Sequence, residues 1–443
     1  MKALLVVLDG IADRSQEALG RLTPLQAASM TNLDALARAG CSGHMYPLGP
    51  GICPGTDTAH WAILGYSDWR YPGRAAIEAL GSGTDLLPGE VVFRVNLATT
   101  LQERGKRYVT ISPAYLPEEE AGDIYTELAG YRGELFDARL VHLGGPFMLL
   151  GLSGGASTEV TDSDPLFFDI PVSPISALAS MEGEDASSPE DTARELNNFI
   201  GWASVVLRSH PVITGRAAAG MTFPDHVLVK WGSRLEEVPS FIEAWGFNSS
   251  VAASGLFHAG IARLLGMKLL GPPCAPGTPP PAMAGVSRAG EDLLDRMKQA
   301  LGSLEQGCDL ALVHTKAPDD AAHTGRPANK VRTCEEIDAA MHLAVEAAEK
   351  RNDLLVVVTA DHTTPSGGSP AVIHSGESVP VVMAGSTVRV DRVRQFDEVS
   401  CAAGGLGQLT GNDLMPLVLN FTDRARFSNS RLSPGGFPFR PRP

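Results

Sequence analysis

Nearly unbroken apolar runs are the feature that most constrains the fold of this chain. Residues 2–8 (KALLVVL) and 354–359 (LLVVVT) are rich in apolar and β-branched side chains and lack the polar alternation of a half-exposed strand. Such runs are typical of strands that are buried on both faces, as in a parallel sheet. Residues 310–313 (LALV) and 379–383 (VPVVM) have the same character. We therefore expect these segments to be strands of a buried, mostly parallel sheet.

Helical patterns lie between these strands. Residues 31–38 (TNLDALAR) open with Thr31, a residue type that caps helices, and carry apolar side chains at helical spacing. Residues 330–348 repeat apolar side chains at a similar spacing and are predicted to form one helix. Strands that alternate with helices indicate an α/β fold. The expected core is a mostly parallel sheet with helices on both faces.

The length of the chain and its uneven composition indicate two domains. A chain of 443 residues is too long for one ordinary hydrophobic core. Residues 84–273 show more polar alternation, more glycine and more proline, and residues 271–281 (GPPCAPGTPPP) form a stiff junction. We predict a core built from residues 1–83 and 282–422, with an α+β cap domain inserted at 84–273. Residues 423–443 are predicted to be a flexible tail.

The composition also narrows the class of protein and its partners. A hydrophobic content of 44% and a charged content of 20% describe a soluble globular protein. The net charge of −15 argues against nucleic acid or an anionic membrane as a partner, although bound metals can still attract an anionic substrate. The first apolar run is too short for a signal peptide or a membrane span. The six cysteines show no CxxC pair, so we expect free thiols in a reducing cytoplasm.

Seven side chains near predicted strand ends have the chemistry of a metal centre. Carboxylates, imidazoles and one hydroxyl are the groups that two adjacent divalent cations need in order to hold and transfer a phosphoryl group. Ligands of open α/β sheets collect at the carboxyl ends of the strands. The seven side chains are Asp9, Thr56, Asp319, His323, Asp361, His362 and His374.

Asp9 and Thr56 each have a simpler explanation as well. Asp9 closes the first apolar run, and Gly10 allows a sharp turn that leaves room for a metal ion, but Asp9 alone could be an ordinary turn residue. Thr56 follows Pro54 and Gly55 at the start of a predicted helix, where a hydroxyl can be only an N-cap. The same position offers free N–H groups suited to phosphate. A metal on the oxygen would make it a nucleophile.

For the other five positions, the presence of the neighbouring candidate ligands favours metal binding over a simpler explanation. Asp319 and His323 are four residues apart, so a helical turn places both on one face. They could be ligands of one metal ion or an ordinary i,i+4 pair on the protein surface. Asp361 and His362 close an apolar run, and at least one must lie past the strand end if they share a site. An unpaired buried carboxylate is costly, which favours function for this pair. His374 is an ordinary single histidine when taken alone.

The chain resembles the alkaline phosphatase superfamily, and more closely its archaeal-type cofactor-independent phosphoglycerate mutases. The resemblance begins with the order of the candidate residues, which is Asp, Gly-Thr, Asp-x-x-x-His, Asp-His and His. The segments that carry this resemblance run through nearly the whole chain. They are LDGIADR, GPGICPGTDTAHWAILGY, YPGRAAIEALGSG, FRVNLAT, VTDSDP, SHPV, HTKAPDDAAH, TADHTTP, HSGESVPVVM and CAAGGLGQLTGNDLMP. The resemblance implies an alkaline-phosphatase-like, metal-binding core with an inserted cap domain.

The resemblance also implies how the seven side chains divide between two divalent metal ions. Manganese is the typical ion of the family, and zinc, magnesium and cobalt are alternatives. The first ion would be held by Asp9, Thr56, Asp361 and His362. The second ion would be held by Asp319, His323 and His374.

The family mechanism is a double displacement, and its nucleophile position falls on Thr56. This residue would take the phosphoryl group, the glycerate would reorient, and its other hydroxyl would take the group back. The resemblance further places candidate substrate contacts in the PGTDTAH and LVKWGSR segments. These contacts are Asp57, His60, Lys230 and Arg234.

Several positions depart from the family pattern. The family normally carries Ser where this chain has Thr56, which offers the same hydroxyl on a stiffer side chain. A family arginine appears as Lys230, and a family lysine falls near His258, where this chain has none. A family arginine-rich stretch is not matched, and a His-Arg pair is replaced by residues 141–143 (VHL). Because Arg and Lys are not interchangeable at a bidentate phosphate site, we expect a rewritten anion clamp.

Three functions remain consistent with these residues. The first is the mutase, which interconverts 2-phosphoglycerate and 3-phosphoglycerate. The second is a diverged relative that transfers or hydrolyses a phosphonate, a nucleotide-activated phosphonate or a phosphodiester, which Thr56 and the altered clamp favour. The third, a non-catalytic binding protein, predicts broken metal ligands, whereas all seven positions are filled. The expected partner is a small phosphorylated or phosphonylated acid, with a nucleotide-linked donor in the second case.

Overall fold

The four apolar runs become adjacent strands of one sheet. The computed structural model describes residues 1–167, 169–179, 188–253, 255–271, 288–368 and 372–425. The strands in these ranges are β1 (Lys2–Leu8), β2 (Cys41–Tyr46), β3 (Val91–Glu103), β4 (Lys106–Ile111), β5 (Asp137–Gly144), β6 (Phe147–Ser153), β7 (His226–Arg234), β8 (Ser249–Ala252), β9 (Lys268–Leu270), β10 (Leu310–Thr315), β11 (Leu354–Thr359), β12 (Val379–Ala384) and β13 (Gly407–Thr410). The four runs are β12, β11, β1 and β10, in that spatial order.

Helices alternate with most of these strands, as the sequence pattern indicates. They are α1 (Pro24–Ala27), α2 (Thr31–Ala39), α3 (Thr56–Ile63), α4 (Arg74–Ser82), α5 (Glu118–Leu128), α6 (Pro189–Ser209), α7 (Pro211–Ala218), α8 (Phe241–Trp245), α9 (Leu256–Leu264), α10 (Ala289–Glu305), α11 (Ala317–Ala322), α12 (Pro327–Ala340), α13 (His342–Lys350), α14 (Glu398–Cys401) and α15 (Gly411–Phe421). A short 3-10 helix spans Glu17–Leu19. None of the helices in the described ranges is both long and apolar enough to cross a membrane.

The chain divides into two units, and the first contains the larger sheet. This unit comprises Met1–Tyr71 and the described parts of Val238–Pro273 and Pro281–Pro443. Its eight described strands run in the order β13-β2-β12-β11-β1-β10-β8-β9. β12 is antiparallel to both of its neighbours, whereas every other adjacent pair is parallel. All residues of β10 and β11 are buried, as expected for strands covered on both faces.

The register of the central strands brings three chain segments to one edge of this sheet. Leu8 at the end of β1 lies opposite Thr315 at the end of β10. On the other side, Val7 lies opposite Thr359 at the end of β11. The three parallel strands therefore end together, and the residues that follow them emerge at the same edge. The mostly parallel α/β sheet predicted from the apolar runs is confirmed.

The second unit, Pro72–Glu237, has a different architecture. Its five described strands form an antiparallel sheet in which β3 pairs with β4, β6 and β7, and β5 pairs with β6. Its core contains buried side chains from β3, β6 and α6, including Phe93, Leu150 and Phe199. Strands and helices of this kind form the α+β domain that the sequence predicts between the two halves of the core.

The boundaries between the units differ from those expected at residues 83/84 and 273/282. β8 pairs in parallel with β10, and β9 pairs with β8, so residues 238–271 extend the large sheet and belong to the first unit. In the second unit, the backbone N–H of Ala75 on α4 donates to Ser233 Oγ on β7. Residues 72–83 therefore belong to the second unit. Both boundaries are set by contacts between segments that are far apart in the sequence, which local composition does not show.

Two helix predictions also differ in detail. The expected helix at 330–348 is split at Met341, whose N–H lies 3.1 Å from Ile337 O and 3.0 Å from Asp338 O and so tightens the turn. Thr31 is the first residue of α2 and not its cap. The carboxylate of Asp338 accepts the N–H groups of Asn32 and Leu33 and caps that helix from a neighbouring one.

Some expectations lie partly outside the described residues. These are the stiff junction, of which only Gly271 is described, and the tail, which is described only as far as residue 425. Five of the six cysteines fall within the described ranges, and all five are free. The prediction of free thiols is confirmed for those five.

A buried lysine joins the two loops that follow β1 and β11. Lys330 is fully buried, and its ammonium donates to Ala12 O at 2.8 Å and to Thr364 O at 2.6 Å. The same group lies 3.2 Å from Asp13 Oδ2, which is also fully buried. We expect Lys330→Met to lower the free energy of unfolding by about 3–5 kcal/mol, because it leaves Asp13 without its partner charge.

Denaturant unfolding of Lys330→Met beside Lys350→Met tests this expectation. Lys350 is an exposed residue that pairs with Glu346 one helical turn away. Such exposed pairs contribute about 0.3–0.5 kcal/mol to stability. The free energy of unfolding of Lys350→Met should therefore stay close to that of wild type. Equal stability of the two variants would show that Lys330 does not stabilise the loops.

Candidate active site

Asp9, Asp361 and His362 form a fully buried cluster at the edge of the large sheet. Asp9 follows β1, and both Asp361 and His362 lie past the end of β11. His362 Nε2 is 3.2 Å from Asp9 Oδ1 and 3.4 Å from Asp361 Oδ2. One ligand atom from each residue lies within 4.8 Å of the others, close enough to bind one ion. The strand-end argument therefore places these three side chains together correctly.

Two carboxylate oxygens in this cluster fit a divalent cation. Asp9 Oδ1 and Asp361 Oδ2 are buried, and neither accepts a well-formed hydrogen bond within the described part of the chain. An unsatisfied buried carboxylate oxygen is costly, and a cation is the usual remedy. Hard carboxylates with one imidazole suit manganese, magnesium or zinc. The donor set thus fits the divalent metal that the sequence predicts.

Gly10 is required by the close packing at this point. Its φ of +62° lies in the left-handed region that favours glycine. A Cβ atom here would lie 2.5 Å from Thr364 Oγ1 and 2.9 Å from Asp319 Cβ. The Gly10 N–H also donates to Asp361 Oδ1 at 3.1 Å. Gly10 therefore allows three strand-end loops to meet.

Thr56 is the first residue of α3 and lies beside the buried cluster. Its Oγ1 is 3.3 Å from His362 Nε2, and its side chain is buried. The N-cap is Gly55, which has no side chain to cap the helix. The structure therefore does not support the simpler explanation of Thr56 as an N-cap. Its hydroxyl lies next to the cluster, at a helix end with free N–H groups.

Asp319, His323 and His374 form a second cluster. Asp319 lies on α11 and is fully buried, whereas the side chain of His323 is 41% exposed. Asp319 Oδ1 is 3.2 Å from His323 Nε2 and 3.5 Å from His374 Nε2. One ligand atom from each lies within 4.8 Å of the other two. The i,i+4 pair is thus not a simple surface pair, since its carboxylate is completely removed from solvent.

The two clusters are neighbours. Thr364 Oγ1 donates to Asp319 Oδ1 at 2.8 Å and lies 3.0 Å from His362 Nδ1. The rings of His362 and His374 stack with their centroids 3.7 Å apart. A hydrogen bond to the second imidazole nitrogen fixes which nitrogen of a histidine faces a metal. Thr364 therefore supports one residue of each cluster.

The ammonium of Lys316 sets the charge of two carboxylates. Burial alone would raise the pKa of Asp9 and of Asp319, but the charge of Lys316 holds both well below their ordinary value. Lys316 Nζ lies 2.7 Å from Asp319 Oδ2. His314 Nε2 donates to Asp9 Oδ2 at 3.0 Å and acts in the same direction. Both carboxylates are therefore ionised at neutral pH, as metal ligands must be.

In contrast, the pKa values of both Asp361 and His362 are raised by their surroundings. Burial and the charge of Asp9 raise the pKa of the Asp361 carboxyl. Burial would lower the pKa of His362, but the carboxylates of Asp361 and Asp9 raise it to about 9. Without a metal, His362 is therefore an imidazolium that balances the buried carboxylates. A divalent cation that binds to its Nε2 replaces that proton.

Of the expected substrate contacts, Asp57 and His60 lie on α3 in the first unit. Asp57 Oδ2 accepts a hydrogen bond from the hydroxyl of Tyr71 at 2.9 Å. His60 is buried, and its Nδ1 lies 2.7 Å from Thr56 O. Its ring therefore reaches the backbone of the candidate nucleophile.

The other expected substrate contacts, Lys230 and Arg234, lie on β7 of the second unit. The ammonium of Lys230 is 2.6 Å from Asp164 Oδ2, and Arg234 Nη2 donates to Ala156 O at 2.9 Å. An anion that binds Lys230 would therefore compete with the carboxylate of Asp164. Both side chains already have protein partners, which the sequence alone does not reveal.

Sequence reasoning missed three side chains that contact these clusters and a fourth that contacts His60. Lys316 and His314 lie at the end of β10, and Thr364 lies three residues beyond Asp361. The strand-end argument that identified Asp9 could have found these three. His258, which contacts His60, lies on α9, where no strand-end signal exists.

Comparisons with known proteins agree with this site. A model of the metalloenzyme superfamily matches residues 1–421. The 2,3-bisphosphoglycerate-independent phosphoglycerate mutase 2 of Methanocaldococcus jannaschii is 35% identical over 432 residues, which cover 96% of this chain and 94% of that protein. The chain belongs to this mutase family. As an enzyme of the family it binds divalent metal, and the clusters described above are its candidate ligands.

Further members of the mutase family match over a similar length. The 2,3-bisphosphoglycerate-independent phosphoglycerate mutase of Methanopyrus kandleri is 34% identical, with 96% of this chain and 97% of that protein covered. The structure of the cofactor-independent phosphoglycerate mutase of Thermoplasma acidophilum has a TM-score of 0.60 and is 28% identical. It covers 95% of this chain and all of its own chain. The predicted membership of the archaeal-type cofactor-independent phosphoglycerate mutases is confirmed.

Proposed function

We propose that this mutase-family protein interconverts 2-phosphoglycerate and 3-phosphoglycerate through a phosphorylated Thr56. The observation that carries the proposal is the Thr56 hydroxyl, which lies 3.3 Å from His362 Nε2 beside two neighbouring clusters of carboxylates and imidazoles. Relatives that match nearly the full chain are named phosphoglycerate mutases. That arrangement suits transfer of a phosphoryl group to and from one oxygen.

Two divalent ions complete the proposed site, and manganese is the favoured ion because carboxylates dominate the buried cluster. We assign the first to Asp9, Thr56, Asp361 and His362. We assign the second to Asp319, His323 and His374. The ions supply charge that stabilises the phosphoryl oxygens and makes the nucleophilic hydroxyl more acidic.

The protein residues carry out the transfer in two balanced steps. Thr56 Oγ1 attacks phosphorus, the bond from phosphorus to the glycerate oxygen breaks, and the hydroxyl proton ends on that oxygen. After the glycerate reorients, its other hydroxyl attacks the phosphothreonine, the bond from phosphorus to Thr56 Oγ1 breaks, and Thr56 regains a proton. The free N–H groups in the first turn of α3 are donors for the phosphoryl oxygens.

Substrate recognition is proposed to involve Asp57, Lys230 and Arg234, whereas His60, the fourth contact expected from the sequence, is buried and bonded to Thr56 O. A phosphorylated glycerate carries a carboxylate and a phosphate, which lysine and arginine recognise by charge and by hydrogen bonds. We also propose a cytoplasmic location, which the five free cysteines of the described ranges support.

The mutase is favoured over a phosphonate or phosphodiester enzyme because the named relatives are mutases. A non-catalytic binding protein would not need the seven side chains, which instead form two complete clusters with Thr56 beside them. The nature of the nucleophile, Thr in place of Ser, leaves the chemistry of the hydroxyl unchanged.

A coupled assay on 3-phosphoglycerate tests the proposal. Purified protein loaded with manganese, with its metal content measured, should form 2-phosphoglycerate at a rate on the order of ten per second. Without added metal and with a chelator, the rate should fall to background. No turnover in protein shown to hold metal would overturn the proposal, and phosphonates and their nucleotide esters would then be the next substrates to assay.

A further inference from the structure

Three buried histidines form a cluster beyond the seven predicted metal ligands. His60 lies on α3, His258 on α9 and His314 on β10, all in the first unit. Their exposed fractions are 1%, 6% and 1%. One nitrogen from each lies within 4.8 Å of those from the other two. Imidazole nitrogens removed from water need hydrogen-bond partners or a cation.

The contacts of His60 determine which of its nitrogens has a free lone pair. His60 Nδ1 lies 2.7 Å from the carbonyl oxygen of Thr56. A carbonyl oxygen can only accept, so Nδ1 carries the hydrogen in this contact. In the neutral ring, His60 Nε2 is then the acceptor nitrogen, and it lies 3.4 Å from His258 Nε2. The lone pair of His60 is therefore directed into the cluster.

His314 is arranged in a similar way. Its Nε2 lies 3.0 Å from Asp9 Oδ2, and an ionised carboxylate only accepts, so this nitrogen donates. Its Nδ1 is buried and has no hydrogen-bond partner within the described part of the chain. An imidazole nitrogen without a partner in a buried site costs free energy unless something binds it. His314, a member of the cluster, thus has one unsatisfied buried nitrogen.

His258 faces both other rings. Its centroid is 3.8 Å from that of His314 and 4.9 Å from that of His60. Burial, together with the neighbouring imidazoles, lowers the pKa of His258 well below its ordinary value. A neutral imidazole is the form that binds a metal.

We propose that His60, His258 and His314 bind a third metal ion, with zinc as the favoured ion. Zinc lies about 2.0–2.1 Å from imidazole nitrogens in tetrahedral sites, so two such nitrogens lie about 3.3 Å apart. The distance of 3.4 Å between His60 Nε2 and His258 Nε2 has this value. Three protein ligands leave a fourth position of the ion for water or another small ligand.

The donor set distinguishes this site from the two proposed for phosphoryl transfer. Three neutral imidazoles suit zinc and neighbouring late transition metals, whereas carboxylate oxygens suit manganese and magnesium. The site also extends beyond the proposed function, because it concerns an additional ion and not the substrate. Asp9 links the two, since its Oδ1 belongs to the first cluster and its Oδ2 accepts from His314. His60 thereby receives a role other than the substrate contact expected from the sequence.

Metal counting by mass spectrometry tests the third site without measuring turnover. Wild-type protein saturated with zinc and then desalted should hold three equivalents per chain, and His258→Gln should hold two. His342→Gln, which changes a partly exposed histidine of the same unit, should hold three. Two equivalents in wild type, or three in His258→Gln, would overturn the proposal. Fewer than two in a folded His258→Gln would also overturn it, because His258 would then support the other two ions.

A second measurement does not depend on the folding of a variant. Anomalous diffraction at the zinc edge, on crystals of the wild-type protein grown with zinc, should show a peak bounded by His60, His258 and His314. Density at the two carboxylate clusters but none among these rings would overturn the third site. Neither result depends on whether the enzyme acts on phosphoglycerate, so failure of this proposal and failure of the proposed function are separable.

Discussion

Replacement of Thr56 by alanine is expected to lower turnover of 3-phosphoglycerate by about a thousandfold or more. The variant lacks the oxygen that would take the phosphoryl group, and turnover needs that oxygen in both steps. The fold should persist, because the change removes only a hydroxyl and a methyl group from a buried side chain at the start of α3. The coupled assay gives the rate, and circular dichroism on the same sample shows whether the fold is intact.

Two further variants make the result specific to the Thr56 hydroxyl. Thr56→Ser restores the oxygen and should retain activity of the same order as wild type. Thr58→Ala removes a hydroxyl that lies on the same helix and donates to Gly55 O at 3.3 Å, so it should change the rate little. Activity of Thr56→Ala close to wild type would exclude this residue as the nucleophile.

Asp361→Asn is expected to cost one metal equivalent and at least about a hundredfold in turnover. Loss of a group that merely supports a ligand costs about 10–100-fold in metal affinity, so loss of the ligand itself should cost more. Asparagine retains an acceptor for the N–H of Gly10, which now donates to Asp361 Oδ1 at 3.1 Å. Metal analysis by mass spectrometry and the coupled assay measure the two effects.

The same variant should have opposite effects on stability with and without metal. Burial and the charge of Asp9 raise the pKa of Asp361, so the ionised carboxylate destabilises the metal-free fold at neutral pH. The metal-free variant should therefore unfold at a higher Tm than metal-free wild type. With manganese at about 100 times its Kd, wild type gains about 2.7 kcal/mol per ion, and the order should reverse.

Asp320→Asn is the matched control for this experiment. Burial raises the pKa of Asp320 to about 6, but its carboxyl belongs to neither cluster. The control should keep its full metal content and show no reversal of Tm. Full metal content in Asp361→Asn would instead show that Asp361 is not a ligand.

The central sheet and the polar cluster at its edge could be predicted because their sequence signals are local. The runs at 2–8 and 354–359 coincide with β1 and β11, since a strand buried on both faces needs apolar residues throughout. Parallel neighbours end together, so a polar residue just past one run must lie near a polar residue just past the next. This argument links Asp9 with Asp361 and His362 without any knowledge of the loops between them.

Features that depend on contacts between distant segments could not be predicted in this way. Residues 238–271 join the first unit because β8 pairs with β10, and no local pattern specifies that partner. α2 is capped by Asp338 from another helix, so Thr31 gives a misleading local signal. The approach of His258 to His60 is likewise visible only once α3 and α9 are placed beside each other.

The position of β1 in the sheet has a consequence for how the protein matures in the cell. β1 is made before its neighbours β10 and β11, which begin only at Leu310 and Leu354. On the ribosome, this largely apolar strand therefore has no partner until those residues have been translated, and unpaired strands of this kind promote aggregation. Asp9 and Asp361 can meet only after β11 has been made, so the proposed first metal site cannot form before that point. We expect metal loading to follow formation of the central sheet and not to guide the early nascent chain.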